Sequence, residues 1–218
     1  MKRSILFIIT FFISLAALAQ TGVDTIHYRK VYYFAGTGLA FPLGKTKEVL
    51  SPKVFAGSMG LDISLKNPKY YVMPTLYMLS FNYDQKIPDP EYNRMIENGQ
   101  SSLYMLSLAG GMRRQWKRLN TYAYVGPTVG LSTEPRSNVL PEVVKVSYKR
   151  NIAFGTKMGV GADYMFKGFF LGAELGYMYN INKIQNRPFQ AITFMVGLKS
   201  DITKLSDKVV NIIKPIID

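Results

Sequence analysis

The stretch Phe154–Asn180, FGTKMGVGADYMFKGFFLGAELGYMYN, contains two runs in which large apolar residues alternate with small ones. A period of two is typical of β-strands, because successive side chains point to opposite faces of a sheet. Alternate positions of a strand share one face, and we call each such set of positions a parity. In both runs one parity is apolar and becomes aromatic toward the ends, whereas the other consists mainly of glycine. Lys157, Asp163 and Glu174 all fall on the glycine parity. The pattern predicts a strand pair with one apolar face and one narrow polar face.

The same alternation recurs through the chain and predicts eight strands. Each is long enough to cross a bilayer at the usual tilt, which takes about 9–11 residues. Pro74 and Pro127 lie inside two of them and remove ladder donors, so we expect bulges or register breaks there. The predicted strands are 31–42, 53–65, 69–83, 101–115, 121–132, 150–166, 169–182 and 189–200.

The connections between these strands alternate between short and long. Short turns are predicted at 66–69, 117–120 and 167–168, and longer connections at 44–53, 84–100 and 132–149, with a shorter one near 184–188. This alternation is the pattern of an antiparallel barrel in an outer membrane, with its short turns in the periplasm. The segment 143–149 also alternates and would extend the sixth strand as a protruding hairpin, but we assign it to the loop.

The size of the residues on the polar parity favours a membrane barrel over a soluble one. A water-facing sheet usually carries long polar side chains, whereas Gly155, Gly159 and Gly161 leave this parity small. Small residues fit the crowded lumen of a narrow barrel. The aromatic ends of the apolar parity fit interfacial girdles. A soluble periplasmic lipocalin-like binding protein is the alternative for the same alternation.

Composition and the N-terminal residues indicate export. Lys2 and Arg3 precede an apolar run that ends in Ala17-Leu18-Ala19, which is typical of a secretory signal peptide. The absence of cysteine excludes disulfides. The formal charge of +13 favours anionic lipid headgroups over nucleic acid as the partner of an exported protein. The predicted divisions are a signal peptide (1–19), a periplasmic N-terminal segment (20–30), the barrel (31–200) and a C-terminal amphipathic tail (201–218).

Several stretches resemble the small outer-membrane β-barrel proteins of the OmpA/OmpX-like kind, particularly those of Bacteroidetes-type bacteria. They are ALAQ, YYFAGTGLAFPLG, TYAYVGPTVGL, MGVGADYMF, GFFLGAELGYMY and AITFMVGLKS. The resemblance implies an all-β, eight-stranded antiparallel up-and-down transmembrane β-barrel in the outer membrane. It implies little about activity. The segment ITKLSDKVVNIIKPIID after the last strand departs from members that end at or near their final strand.

Catalytic chemistry is not expected. Barrels that resemble lipid A deacylases or phospholipases need a histidine beside a serine near the lipid-facing wall. His27 is the one histidine of the sequence and precedes the first strand. Metal-binding and phosphate-binding signatures are absent, so we expect no enzyme, no metal and no cofactor.

The charged residues on the parity that faces the lumen form the first candidate functional site. One interpretation is a salt-bridge network that closes the lumen, because buried charges are stable only when they are paired. The other is a charged path for ions or small solutes. The network is predicted to contain Asp62, Arg113, Lys157, Asp163, Glu174 and Lys199.

Apolar residues at helical spacing form the second candidate, in the tail. They predict an interfacial helix over about 203–214 under the barrel, ended by Pro215. A strip that binds a partner protein and a frayed terminus are the competing interpretations. The residues of this membrane-surface tail are Leu205, Val209, Ile212, Ile213 and Ile216.

These patterns together predict a non-enzymatic integral outer-membrane barrel with a charge-plugged lumen. Its role would be that of an envelope scaffold, a surface-interaction protein or an assembly or secretion accessory, and the alternative is a narrow channel. Its partners would be outer-membrane lipid and lipopolysaccharide, with an envelope protein bound through the long loops or the tail. The basic residues expected to face lipid headgroups or a partner outside are Lys45, Lys47, Lys53 and Arg136.

Overall fold

The computed structural model describes residues 31–166 and 168–203 and contains an antiparallel barrel of eight strands. Each strand pairs with its neighbours in sequence, and the last pairs with the first to close the ring. This confirms the predicted all-β, eight-stranded up-and-down fold. The strands are β1 (Val31–Pro42), β2 (Leu50–Ser64), β3 (Tyr70–Tyr83), β4 (Gly99–Trp116), β5 (Leu119–Val139), β6 (Val144–Met165), β7 (Phe170–Ile184) and β8 (Arg187–Asp201).

Some of the predictions fall outside the described residues. These are the signal peptide, the segment 20–30 with His27, and the tail from residue 204 onward. Within the part of the chain that the structure describes, no helix is long and apolar enough to cross a membrane. A short 3₁₀ helix, Gly44–Glu48, lies between β1 and β2.

Burial alternates along the strands as the sequence pattern predicts. In β3, every second residue from Tyr71 to Tyr83 is buried in the lumen, and the residues between them face outward. In β6 and β7, Lys157 and Asp163 are buried, whereas Phe154, Val160 and Leu175 are exposed on the outside. The large apolar side chains on the outward parity therefore form an exposed surface around the barrel.

The strict alternation of short and long connections is wrong at two places. The β7–β8 connection is the two-residue turn Gln185–Asn186, in which both residues have positive φ (48° and 61°), as a type I′ hairpin turn requires. The predicted loop 132–149 is mostly strand, since β5 continues to Val139 and only 140–143 connect it to β6. Asn93 holds the end of β5 there, because its side chain exchanges hydrogen bonds with the backbone of Val139 (2.7 and 2.8 Å).

The register breaks expected at Pro74 and Pro127 are also wrong. The pairing register is the same on either side of both prolines. The β2–β3 and β4–β5 ladders skip the pairs at these positions, so the missing N–H groups do not force a shift. Register shifts occur instead between Pro52 and Ala56 in β2 and between Asn180 and Lys183 in β7.

Candidate functional site: the barrel lumen

The lower layer of the lumen is a neutral cluster of four charges from β2, β4, β6 and β8. Arg113 donates two hydrogen bonds to the carboxylate of Asp62, at 3.0 and 2.5 Å. Lys199 donates to Asp62 at 3.1 Å and to Asp163 at 2.6 Å. Asn120 adds a hydrogen bond to Asp163 at 3.3 Å. Two cations and two carboxylates thus compensate one another close to the ends of these strands, which is the condition for burying charge.

The middle layer is built around Lys157, whose side chain is 0 % exposed. Its ammonium donates to the Thr193 hydroxyl at 2.6 Å, lies 3.7 Å from a carboxylate oxygen of Glu174, and sits 4.4 Å from the centre of the Tyr77 ring. The Tyr124 hydroxyl donates to the same Glu174 oxygen at 2.6 Å. All six charges of the predicted network therefore lie inside the barrel, as four residues in the lower layer and two in the middle one.

Tyrosines fill the space around these charges, and sequence reasoning missed them. The lumen parity is small in β1, β6 and β7, as predicted, but β3 and β5 contribute large side chains opposite. A Cβ on Gly161 would overlap the Tyr122 ring, and one on Gly159 would lie 2.7 Å from the Tyr124 hydroxyl. Tyr71 lies beneath the Arg113 guanidinium, 4.4 Å from the ring centre. The glycines of β6 thus make room for the tyrosines that pair with them on the neighbouring strand β5.

A small cavity lies between the lower and middle layers. Its volume of about 40 Å³ leaves room for about three water molecules at ~10–15 Å³ each. Its lining combines apolar residues with charged residues of both layers, so it belongs to the same charged interior. The charged and hydroxyl-bearing residues that line it are Ser58, Asp62, Tyr71, Tyr122, Asp163, Glu174 and Lys199.

An apolar layer occupies the lumen beyond the tyrosines, toward the end with the longer connections. The rings of Phe81 and Phe189 meet edge to face with their centres 5.6 Å apart. The surrounding side chains are fully buried, so this layer has the character of an ordinary protein core. Its other large members are Leu79, Leu103, Met105 and Met178.

The outer mouth carries a second charged cluster centred on Arg136. We expected Arg136 to face outward, but it is 5 % exposed because β5 continues and turns this residue inward. Its guanidinium donates to the Tyr83 hydroxyl (2.7 Å), to Glu134 (3.2 Å) and to Asp89 (3.2 Å). Asp89 also accepts a hydrogen bond from Lys149 at 2.9 Å, and that bond is the main reason why the pKa of Asp89 lies below its usual value.

Residues 84–98, which we term the outer loop, are tied to this mouth. The side-chain oxygen of Gln185 accepts hydrogen bonds from the backbone N–H groups of Lys86 (2.6 Å) and Ile87 (2.9 Å). The Gln185 amide also donates to the Tyr83 hydroxyl. Because Asp89 lies in the same loop, the outer loop is fastened to β3, β5, β6 and the β7–β8 turn.

The other basic residues predicted to face outside behave differently from Arg136. Lys45 and Lys47 are exposed in the 3₁₀ helix. Lys53 is half-buried and donates to the Gln100 side chain at 2.7 Å. In the described residues, no group of three or more His, Cys, Asp or Glu side chains is arranged to hold a metal ion.

The exterior shows which environment surrounds the barrel. Large apolar side chains on several neighbouring strands are exposed, whereas the six charges of the lumen network lie inside. A surface this apolar belongs in hydrocarbon, and a closed barrel leaves no unpaired strand edge in the bilayer. Its exposed members include Leu106, Leu108, Val125, Phe154, Val160, Leu171, Leu175, Phe194 and Leu198.

Comparison with solved structures gives the same assignment. The crystal structure of a major outer membrane protein from Thermus thermophilus matches with a TM-score of 0.58 at 12 % identity, over 80 % of this chain and 99 % of that one. The chain has the fold of an outer-membrane β-barrel. Other similar structures are Neisserial surface protein A (NspA), with a TM-score of 0.49 at 13 % identity over 79 % of this chain and 97 % of that one, and Ail, the attachment invasion locus protein of Yersinia pestis, with 0.42 at 10 % identity over 78 % and 95 %.

The identity is too low to establish more than the fold. No family model matches the sequence, and no curated protein matches it. The resemblance inferred from the sequence is therefore confirmed as a likeness to small outer-membrane barrels. We refer below to the end with the short connections around residues 65–69, 117–118 and 166–169 as the periplasmic end, as in such barrels.

Proposed function

We propose that this outer-membrane barrel is a non-enzymatic, closed scaffold that presents a surface for interaction outside the cell. The observation that carries the proposal is the filled lumen. The lumen is filled from end to end. From the periplasmic end outward it contains the charged lower layer, the middle layer around Lys157, the apolar layer and the charged cluster centred on Arg136. An ion would have to displace paired charges and cross an apolar layer, so conduction is unfavourable.

Single-channel recording tests closure against the alternative of a narrow channel. The purified full chain is inserted into planar bilayers, after its folded state has been checked by heat-modifiable mobility in a gel. A porin added to the same bilayer confirms that conductance can be detected. We expect no steps above leak, and stable, reproducible steps from this chain would overturn the closed-scaffold proposal.

The surface-interaction part of the proposal is supported by the hairpin of β5 and β6 beyond the barrel. The pairing of β6 with β7 begins at Gly155, so the preceding residues of β6 present an edge that β7 does not cover. Exposed apolar side chains on an uncovered strand edge are features of protein-binding surfaces. The exposed apolar side chains of this hairpin are Leu140, Val143, Val144, Val146 and Tyr148.

Site-specific photo-crosslinking in intact cells tests the hairpin. A photoreactive residue replaces Val146 or Tyr148, and the matched control carries it at Leu106, which is equally apolar but faces lipid. We expect protein adducts from the hairpin positions and not from the control. Equal adduct formation at all three positions would contradict a specific surface role.

The tail remains a separate proposal. We propose that residues 203–214 form the interfacial helix that their spacing predicts, or a strip for an envelope partner. Deletion of 203–218 tests both: loss of membrane insertion supports the first, and loss of partner capture with normal insertion supports the second. Normal insertion and unchanged capture would contradict both.

A further inference from the structure

Exposed cations lie at the periplasmic end of β3, β4 and β5. The Arg114 guanidinium lies over the Trp116 ring, 5.0 Å from its centre, and the Lys69 ammonium lies 5.9 Å from the centre of the Tyr70 ring. Arg118 is exposed in the next turn. Among the described residues, no carboxylate lies within salt-bridge distance of Lys69, Arg114 or Arg118. We call these three residues the basic cluster.

Its setting distinguishes the basic cluster from the cations of the lumen and the outer mouth. Inside the lumen and at the mouth, Arg113, Arg136 and Lys199 each contact a carboxylate. In the basic cluster, Lys69 and Arg114 instead lie over the exposed rings of Tyr70 and Trp116. Aromatic rings mark the membrane–water interface, so its charges lie at the depth of lipid headgroups.

A groove on the lipid-facing surface begins directly above the basic cluster. Its volume is about 550 Å³. Its floor is low because Gly110 has no side chain and a Cβ added there would meet nothing within 4 Å. Tyr70, Met112 and Val125 line its sides.

The groove continues along the same strands toward the middle of the membrane. The next outward positions are Pro74 on β3, Leu108 on β4 and Pro127 on β5, and they line a second groove of about 580 Å³. The lining of both grooves is apolar apart from Thr75, Ser107 and Thr128. Together the two grooves form one apolar groove with the basic cluster at its periplasmic end.

We infer that this sector binds one anionic glycerophospholipid of the inner leaflet, with its phosphate at the basic cluster and an acyl chain along the groove. Charge complementarity selects the headgroup, because Lys69, Arg114 and Arg118 have no counter-charge within the part of the chain that the structure describes. The position at the periplasmic end selects a phospholipid of that leaflet. The inference does not depend on whether the lumen is closed.

Trp116 makes the inference measurable, because it is the single tryptophan of the sequence and lies at the proposed headgroup site. Brominated acyl chains quench tryptophan fluorescence on contact. The full chain is folded into phosphatidylcholine vesicles in which a fixed fraction of the lipid is replaced by brominated phosphatidylglycerol or by brominated phosphatidylcholine. The ratio of quenching by the two brominated lipids gives their relative affinity at this site.

We expect phosphatidylglycerol to be preferred by at least about fivefold, since a single Lys or Arg near an anionic headgroup already contributes about 1 kcal/mol and the cluster has three, and the preference should decrease with added salt. The double variant Lys69→Gln and Arg114→Gln should lose it. The control Lys183→Gln removes an exposed cation at the opposite end and should keep it. The variants are compared by the ratio of quenching by the two brominated lipids. The absolute fluorescence intensity is not used, because Arg114 contacts the indole ring and its replacement changes that intensity directly.

Gly110→Leu tests the groove separately from the charges. Filling the floor should reduce the preference for phosphatidylglycerol although the basic cluster is intact. Equal quenching by the two lipids in the parent chain, or a preference that survives in the Lys69→Gln and Arg114→Gln variant, would overturn the inference. An unchanged preference in Gly110→Leu would overturn the groove as the acyl-chain site.

Discussion

Replacing Glu174 by alanine should destabilise the barrel by isolating Lys157. The change removes the one carboxylate within 4 Å of the Lys157 ammonium among the described residues, while the lysine stays fully buried. It also removes the acceptor of the Tyr124 hydroxyl. Breaking a buried ion pair by removing one partner typically costs about 3–5 kcal/mol.

Two features of the site reduce that figure. Lys157 keeps its hydrogen bond to Thr193 and its contact with the Tyr77 ring. The distance of 3.7 Å between Lys157 and Glu174 is also longer than a hydrogen bond. We therefore expect the free energy of unfolding to fall by about 2–3 kcal/mol, including about 1 kcal/mol for the hydrogen bond that the Tyr124 hydroxyl no longer donates, since it keeps only the bond that it accepts from Tyr77.

The assay is urea unfolding of the barrel in phospholipid vesicles, followed by Trp116 fluorescence and by gel mobility. Glu48→Ala is the matched control, because Glu48 is paired with Arg187 at 2.7 Å but its side chain is 54 % exposed. Exposed pairs contribute about 0–1 kcal/mol, so this variant should unfold close to the parent.

Two further variants separate charge from hydrogen bonding. Glu174→Gln keeps an acceptor for Tyr124 and removes the negative charge, so it should recover the smaller part of the loss. Lys157→Met combined with Glu174→Ala removes the isolated cation and should recover the larger part. Two results would show that buried Lys157 does not need Glu174 as its partner. One is a free energy of unfolding for Glu174→Ala equal to that of Glu48→Ala. The other is that adding Lys157→Met to Glu174→Ala restores none of the lost free energy of unfolding.

Two other predictions concern the glycine wall and the outer loop. Gly161→Ala should lower the free energy of unfolding by about 1–3 kcal/mol, because its methyl group would overlap the Tyr122 ring, whereas Gly110→Ala on the outer face should have little effect in the same urea assay. Asp89→Asn should make the outer loop more susceptible to trypsin at neutral pH, since Lys149 and Arg136 lose their shared carboxylate; unchanged cleavage would contradict the role of Asp89. The pKa of Asp89 is lowered in the folded chain, so the stability that Asp89 contributes to the outer loop is fully present above the ordinary aspartate pKa of about 3.9. That stability is lost as the pH falls through the lower pKa of the folded chain. Hydrogen exchange in residues 84–98 should therefore rise only in acid.

The strands and their faces were predictable because both depend on local alternation. The error at 132–149 has a physical cause. Glu134 and Arg136 continue the inward parity of β5 past Ser132, but charges on either side of Pro135 in a polar stretch are also typical of loops. The segment is a strand because it pairs with 144–149 of β6, and its Arg136 is held inward by Asp89 and Tyr83, which are far away in sequence. Following the parity of β5 would have placed both charges inside.

The membership of the lumen network was predictable, but its pairing was not. Parity places Asp62, Arg113, Lys199 and Asp163 inside, and this needs only the pattern within each strand. The partners come from strands that are not neighbours, since β3 separates Asp62 from Arg113 and β1 separates it from Lys199. Contacts of this kind depend on the closure and tilt of the barrel, which no single strand encodes.

The tyrosine layer depends on a relation between two neighbouring strands. Glycines on β6 indicate a narrow face, and Tyr122 and Tyr124 on β5 alternate like ordinary strand aromatics, so neither strand alone shows that each tyrosine is paired with a glycine across the ladder. Aliphatic side chains would fill the same volume but would leave Glu174 without a donor. Tyrosine supplies a large ring to fill the lumen and a hydroxyl to satisfy the carboxylate, as Tyr124 does at 2.6 Å. The layer can therefore be densely packed and charged at once, which a narrow barrel needs if it is to bury Lys157 without admitting water.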